Sequence, residues 1–222
     1  MFNWTFASFY SLSCALLPCV LLLIVRRQAA PWTHHLWTLL FCCYLWAVYE
    51  VTGAGGLSDV FLQLNIFRDL GIHSFSDLFR ALHDPQGATV FRSHINLIPL
   101  QDLSNGFRLN ILMTMPLGFF LPFLYRSWRR FGWTICCGAG FSLLIECSQL
   151  LTSRTCDADD LIANTLGAAC GYAIWWYMAQ LFGTRLCQTP AGHREPLLLI
   201  MASFGGMFFF CHPFRFYQLI GG

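Results

Sequence analysis

Residues 131–183 read FGWTICCGAGFSLLIECSQLLTSRTCDADDLIANTLGAACGYAIWWYMAQLFG, two apolar runs over 131–151 and 160–183 joined by a short polar segment. Each run is about 20 residues or longer, the length a helix rising 1.5 Å per residue needs to cross a hydrocarbon core of roughly 30 Å. A joining segment this short cannot recross the membrane. The end of the first run and the start of the second therefore face the same side.

The same texture extends in both directions, with further apolar runs over 6–25, 33–52, 107–125 and 197–214. Of the 222 residues, 56% are hydrophobic, 17% aromatic and 11% charged, against about 25% charged in an ordinary soluble domain. The fold expected is an all-α integral membrane protein, a bundle of about six transmembrane helices. Gly205-Gly206 interrupts the last run and His212-Pro213 ends it, so a five-span reading stays open. Arg26-Arg27 closes the first run where a small-residue cleavage site would stand, which argues against a removable signal peptide.

The organisation that follows is two N-terminal spans in 1–56, an amphipathic connection in 57–89, a three-span core in 90–183, and a loop with the last span in 184–222. Within the connection, Leu57, Val60, Phe61, Leu64 and Phe67 fit helical spacing, and Phe75, Leu78, Phe79 and Leu82 repeat it. Both segments read as short amphipathic helices, lying in the lipid interface or packed over the end of the bundle.

All 13 basic residues are Arg and form no basic stretch, so a net charge of +2 gives no reason to expect a nucleic-acid partner. Arg26, Arg27, Arg126, Arg129, Arg130, Arg185 and Arg194 fall in the loops after spans one, three and five, which the positive-inside rule assigns to the cytoplasm. The opposite side carries Arg154 and Arg215 in short segments, with Arg68, Arg80, Arg92 and Arg108 in or beside the long connection.

Of the 11 Cys, Cys14, Cys19, Cys42, Cys43, Cys136, Cys137, Cys147, Cys170 and Cys211 lie within apolar runs and read as small buried hydrophobes. Cys156 and Cys187 fall in loops on opposite sides and should not pair. No metal-ligand spacing links the seven His, which read as interfacial or loop residues, and no Gly-rich phosphate loop is present. Neither a metal nor a cofactor is expected.

An ionisable side chain within a span costs at least about 2.5–3.5 kcal/mol on insertion scales, so each one calls for a partner or a task. Glu146 lies near the end of span four with Gln149 three residues on and hence on the same face. Asp157, Asp159 and Asp160 stand at the mouth of span five, with Asn164 one turn further. Span three begins on this side too, with Arg108 and Asn110, and Glu50 ends span two there.

Alternation of the spans alone gathers these residues, with Arg154, into one layer. The structural reading is that Asp159 or Asp160 caps span five, and that Glu146 bonds to Asn164 or pairs with Arg108 or Arg154.

Ala163, Gly167 and Gly171 repeat at four-residue spacing, a smooth ridge for close helix packing. Pro116 and Pro122 withhold backbone donors from the carbonyls of Leu112 and Gly118, so a kink in span three is expected.

Three blocks resemble the VanZ-like family. Asn96-Leu97-Ile98-Pro99-Leu100 resembles an N-L-I-P-F signature, and Asn110 is followed by Met115-Pro116-Leu117-Gly118-Phe119-Phe120-Leu121-Pro122. The third block runs from Ser142 through Glu146, Gln149, Arg154, Asp157, Asp159, Asp160 and Asn164 to Gly167 and Gly171, and resembles I-E-x-x-Q, R-x-x-D-x-D-D and N-x-x-G patterns. Leu100 and Cys156 depart from it slightly.

The resemblance implies a multi-pass protein of a bacterial plasma membrane acting at the cell envelope, and the positive-inside assignment puts its polar cluster outside. Some relatives lower susceptibility to teicoplanin-type glycopeptides. The implied partners are membrane lipid and a lipid-linked cell-wall molecule or a lipoglycopeptide, while oligomeric state is left open. On this reading the functional candidates are Asn96, Arg108, Asn110, Glu146, Gln149, Arg154, Asp157, Asp159, Asp160 and Asn164. Pro116, Gly118, Pro122, Gly167 and Gly171 shape helix packing.

Catalytic residues are not identifiable, and a non-enzymatic role is the leading expectation. One alternative is a membrane enzyme on a lipid-linked phosphate, with Asp157, Asp159 and Asp160 holding Mg²⁺ and Glu146 as base. Another is a small transporter, for which no inverted repeat is legible.

Overall fold

A computed structural model of the chain describes residues 4–26, 30–61, 68, 71, 74, 76–77, 95–96, 98–99, 105–149, 156–183, 192 and 194–211. Every apolar run forms a helix: α1 (Trp4–Arg26), α2 (Trp32–Thr52), α3 (Asn105–Leu124), α4 (Phe131–Gln149), α5 (Ala158–Phe182) and α6 (Glu195–Phe210). A 3₁₀ turn, Arg126–Trp128, follows α3, and the two-residue strands β1 (Ile95–Asn96) and β2 (Cys156–Asp157) complete the described elements. The α2 helix stops where Gly53 turns left-handed at φ 59° and its N–H closes on the Glu50 carbonyl at 3.3 Å, a conformation that costs glycine least.

Segments of α1, α2, α3 and α4 are long and apolar enough to cross a membrane. The 25-residue α5 is not among them, because Asp159, Asp160 and Asn164 open it and Gly, Trp and Tyr lower its hydropathy further on. The 16-residue α6 is apolar but shorter. Its C-terminal half nevertheless reaches the level of the α2 end, since the Phe208 carbonyl lies beside Gly56.

Cross-helix contacts fix the directions. Tyr10 Oη donates to the Phe210 carbonyl (2.7 Å) and Cys19 Sγ to that of Leu199 (3.5 Å), so α1 and α6 are antiparallel. Tyr44 Oη reaches the Met113 carbonyl at 2.9 Å, setting α2 against α3. Successive helices thus alternate, and α3 runs parallel to α5, the pair in most extensive contact. The central core joins α2, α3, α4 and α6 through Phe41, Leu45, Tyr49, Leu121, Ile145 and Ile200.

The α3–α5 contact is close because glycine leaves room for it. A Cβ on Gly118 would fall on the backbone of Ala168, one on Gly167 on Thr114 Oγ1 and the Ile111 carbonyl, and one on Gly171 on the Met115 carbonyl. The α6 glycine pair divides in the same manner: Gly206 lies against the Cys14 carbonyl of α1, whereas Gly205 faces open space. Helix α3 continues through Pro116 and Pro122 rather than ending at either, and the Tyr44 hydroxyl serves a carbonyl in the turn before Pro116.

Polarity is inverted relative to a soluble bundle. Leu17, Leu21, Leu40, Leu112, Leu143, Ile174 and Met201 face outward, while Glu146, Gln149, Asp159, Asn164 and Glu195 are buried. The cysteines depart from the expectation of uniform burial. Cys14, Cys19, Cys42, Cys137 and Cys211 are buried, but Cys136, Cys147 and Cys170 are exposed on the outer faces of α4 and α5, where a small apolar group suits hydrocarbon.

Of the expected amphipathic helices, the first begins at residue 57, after the Gly56 N–H closes on Asp59 Oδ2 at 2.8 Å. The remainder of both lies almost entirely outside the described residues, as do Arg154 and Cys187.

Candidate functional site

The site is assembled at the first turn of α5. Asp157 is extended (φ −122°, ψ 130°), and its side chain accepts from the Asp159 N–H at 2.9 Å. It is therefore the N-cap, two or three residues earlier than the expectation that placed Asp159 or Asp160 there. The helix starts at Ala158, so those two aspartates occupy its first turn, where the positive helix end favours carboxylates.

The Asp157 N–H donates in turn to Glu146 Oε2 at 3.0 Å. Glu146 is only 3% exposed, and a hydrogen bond to such a charged acceptor is worth roughly 1.5–3 kcal/mol. The expected Glu146–Asn164 bond is not made. Glu146 instead holds the backbone of the loop that leads into α5, while Asn164 Nδ2 donates to Ser142 Oγ, one turn earlier on α4, at 2.9 Å.

Parallel pairing brings a third segment to the same place. Ile95 lies opposite Cys156 and Asn96 opposite Asp157, so the backbone of the Asn96 block lies beside the Asp block across β1 and β2.

The adjoining layer is closed by amides and hydroxyls. Asn110 Nδ2 donates to Asp160 Oδ1, tying α3 to α5. Thr114 Oγ1 contacts the carbonyls of Asn110 (2.8 Å) and Asn164 (2.9 Å). Gln149 Nε2 donates to the Thr52 carbonyl at 2.9 Å, and Ser148 Oγ accepts from the Gly55 N–H at 3.2 Å, fixing the end of α4 to the end of α2. Arg108 and Glu50 lie exposed on the rim.

Glu146, Asp157, Asp159, Asp160, Asn110, Asn164 and Gln149 thus share one end of the bundle, contributed by α3, α4, α5 and the loop before α5. Arg108 is near but outward, Asn96 arrives through its backbone, and Arg154 lies outside the described residues.

Chemically this is a mouth of oriented acceptors and amides. Asp157 caps a helix, Asp160 accepts from Asn110, and Glu146 accepts from a backbone N–H. Among the described residues, no three His, Cys, Asp or Glu side chains form a group able to hold a metal ion.

Sequence reading missed a second polar cluster at the opposite end. His34 near the start of α2, Tyr125 just after α3 and Glu195 at the start of α6 meet there, all within 5% exposure. Tyr125 Oη donates to Glu195 Oε1 at 3.0 Å, and His34 Nε2 lies 3.5 Å from the same oxygen. Starting the last span at 197 left Glu195 in a loop, although Glu195-Pro196 has the composition of a helix first turn.

An inverted-polarity bundle with several helices apolar enough to span a bilayer, and with carboxylates and amides gathered at one mouth, defines the class as a multi-pass helical membrane protein. A profile of the family described as VanZ/LLP1 matches residues 71–182, half of the chain. The chain belongs to that family. No curated protein and no solved structure matches it.

Proposed function

We propose that this protein acts at the bacterial cell envelope by holding the polar part of an amphiphile at the mouth organised by Glu146. The ligand class is a lipid-linked cell-wall molecule or a teicoplanin-type lipoglycopeptide, whose acyl chain stays in the lipid beside the bundle. The mouth faces outward from the plasma membrane, because Arg126, Arg129 and Arg130 stand at the other end.

The observation that carries this reading is the buried Glu146 carboxylate fastened to the Asp157 N–H. A carboxylate kept in this setting holds the backbone of Asp157, the N-cap of α5, in place at the mouth, and preorganisation of that kind lowers the cost of binding. Non-enzymatic binding is favoured over Mg²⁺-dependent chemistry because Glu146, Asp157 and Asp160 each accept from a different donor.

The test is binding of fluorescent teicoplanin, and of a glycopeptide without an acyl chain, to the full chain in nanodiscs. Wild type should retain the acylated compound selectively, and Glu146→Gln, which keeps the side-chain size, should weaken it. Equal retention of both compounds by wild type would overturn the proposal. Unchanged retention by a folded Glu146→Gln would remove Glu146 from the site.

A further inference from the structure

The end of the bundle opposite the mouth carries positive charge with little of its own to balance it. Of the 11 acidic residues only Glu195 falls on this side, and it is buried with the Tyr125 hydroxyl bonded to it. The others lie near helix ends or in connections on the mouth side. Arg126, Arg129 and Arg130 are gathered at the turn from α3 to α4, and among the described residues none of the three pairs with a carboxylate.

The turn is held firmly from below. Trp128 is buried, and its carbonyl accepts from Thr134 Oγ1 at 2.8 Å. The Arg129 carbonyl accepts from Tyr172 Oη of α5 at 2.7 Å. The half-buried Arg129 side chain donates through Nε to the Pro122 carbonyl at 3.4 Å, and its guanidinium carbon lies 5.7 Å from the centre of the Trp175 ring. That bond uses the Nε–H alone, and the Nη groups close no hydrogen bond among the described residues. Arg126 and Arg130 are exposed to either side. Helix α4 begins at Phe131, so its positive end adds to the same field.

A slot for an apolar chain leads away from this turn. Gly132, Cys136 and Gly140 recur at four-residue spacing on the exposed face of α4, and a Cβ on Gly132 or Gly140 would meet nothing within 4 Å. Gly138 differs, because its Cβ would meet Ala168 of α5, so that glycine serves packing within the chain. Glycine inside a helix is destabilising relative to alanine, and no contact within the fold accounts for it at Gly140. Phe131 and Trp133 are exposed beside the head of the slot, as amphipathic and aromatic rings are at the level of lipid headgroups.

We propose that the turn between α3 and α4 is a binding site for one anionic phospholipid, whose phosphate lies against Arg126, Arg129 and Arg130 and whose acyl chain lies along Gly132, Cys136 and Gly140. The guanidinium is a planar fork that matches phosphate oxygens, and a basic pocket at the membrane boundary selects an acidic headgroup. A lipid fits this face better than a second copy of the chain. Two copies related by a two-fold axis in one membrane would bring the same unpaired Arg residues together. The site is separate from the mouth and does not depend on any ligand held there.

The experiment is native mass spectrometry of the full chain released from detergent micelles, with phosphatidylglycerol, phosphatidylcholine of the same acyl chains, or glycerol phosphate added. Wild type should retain one phosphatidylglycerol in preference to phosphatidylcholine, and should not retain glycerol phosphate. Arg126→Gln combined with Arg130→Gln, both at exposed positions, should weaken phosphatidylglycerol retention about 30-fold. Gly140→Leu, which fills the slot and leaves the Arg turn intact, should weaken it as well. Equal retention of the two lipids, or retention unchanged in the double variant, overturns the proposal. Glycerol phosphate held as firmly as the lipid overturns the assignment to a lipid, and unchanged retention in Gly140→Leu overturns the placement of the acyl chain. A dimer that carries no phosphatidylglycerol and falls to monomer in Gly140→Leu gives the face to a second copy and overturns it too.

Discussion

Replacing Gly171 by Ala tests the contact on which the mouth depends. The new methyl would meet the Met115 carbonyl oxygen of α3, with Met115 C at 2.8 Å and Phe119 N at 2.9 Å. All three are backbone atoms and cannot rotate aside, so α5 must move away from α3. Overpacking of this kind costs typically about 1–3 kcal/mol, and the Gly-to-Ala gain in helix propensity returns at most about 1 kcal/mol.

A net loss of about 1 kcal/mol is expected, and for a chain of this size it lowers the unfolding midpoint by roughly 2–4 °C. The control is Gly140→Ala on α4, where nothing lies within 4 Å of the added methyl. It should be neutral or slightly stabilising. The assay is thermal unfolding of the three proteins in one detergent, followed by tryptophan fluorescence. Equal midpoints for Gly171→Ala and Gly140→Ala would refute the close-packing argument.

The adjacent α6 glycines give a second paired test by the same assay: Gly206→Ala should destabilise, because its methyl meets the Cys14 carbonyl, while Gly205→Ala should not. Asp157→Ala should lose about 1 kcal/mol from the α5 cap and Asp157→Asn much less, measured as midpoint shifts. Tyr125→Phe removes a donor from buried Glu195 and should cost roughly 1.5–3 kcal/mol; an unchanged midpoint would show that the bond at 3.0 Å contributes nothing.

The helices were legible because apolar runs of about 20 residues leave little alternative. The six helices α1–α6 begin and end within four residues of the expected boundaries, and all but α6 within two. The convergence at the mouth followed from alternation alone, since the chain reverses direction between successive spans. Individual partners were not legible. Glu146 accepts from the backbone N–H of Asp157, and no side-chain pattern encodes a backbone donor. The meeting of Asn96 with Asp157 depends on a two-residue strand pair, too short to leave a periodic signal. His34 and Glu195 are separated by most of the chain, and each alone resembles an ordinary helix end.

The Pro116 and Pro122 expectation illustrates a different limit. Sequence reading identified the carbonyls of Leu112 and Gly118 that lose donors, but not that α3 would run on through both prolines or that Tyr44, on another helix, would bond to the neighbouring Met113 carbonyl. Cys136, Cys147 and Cys170 were misplaced because an apolar run in lipid has no polar face to mark its outside.

The most direct test of the envelope role is growth of a susceptible Gram-positive host expressing wild type or Glu146→Gln at equal membrane levels, challenged with teicoplanin and with a glycopeptide lacking the acyl chain. The account predicts protection against teicoplanin alone, lost in Glu146→Gln. Absence of protection by wild type, or equal protection by the variant, would contradict it.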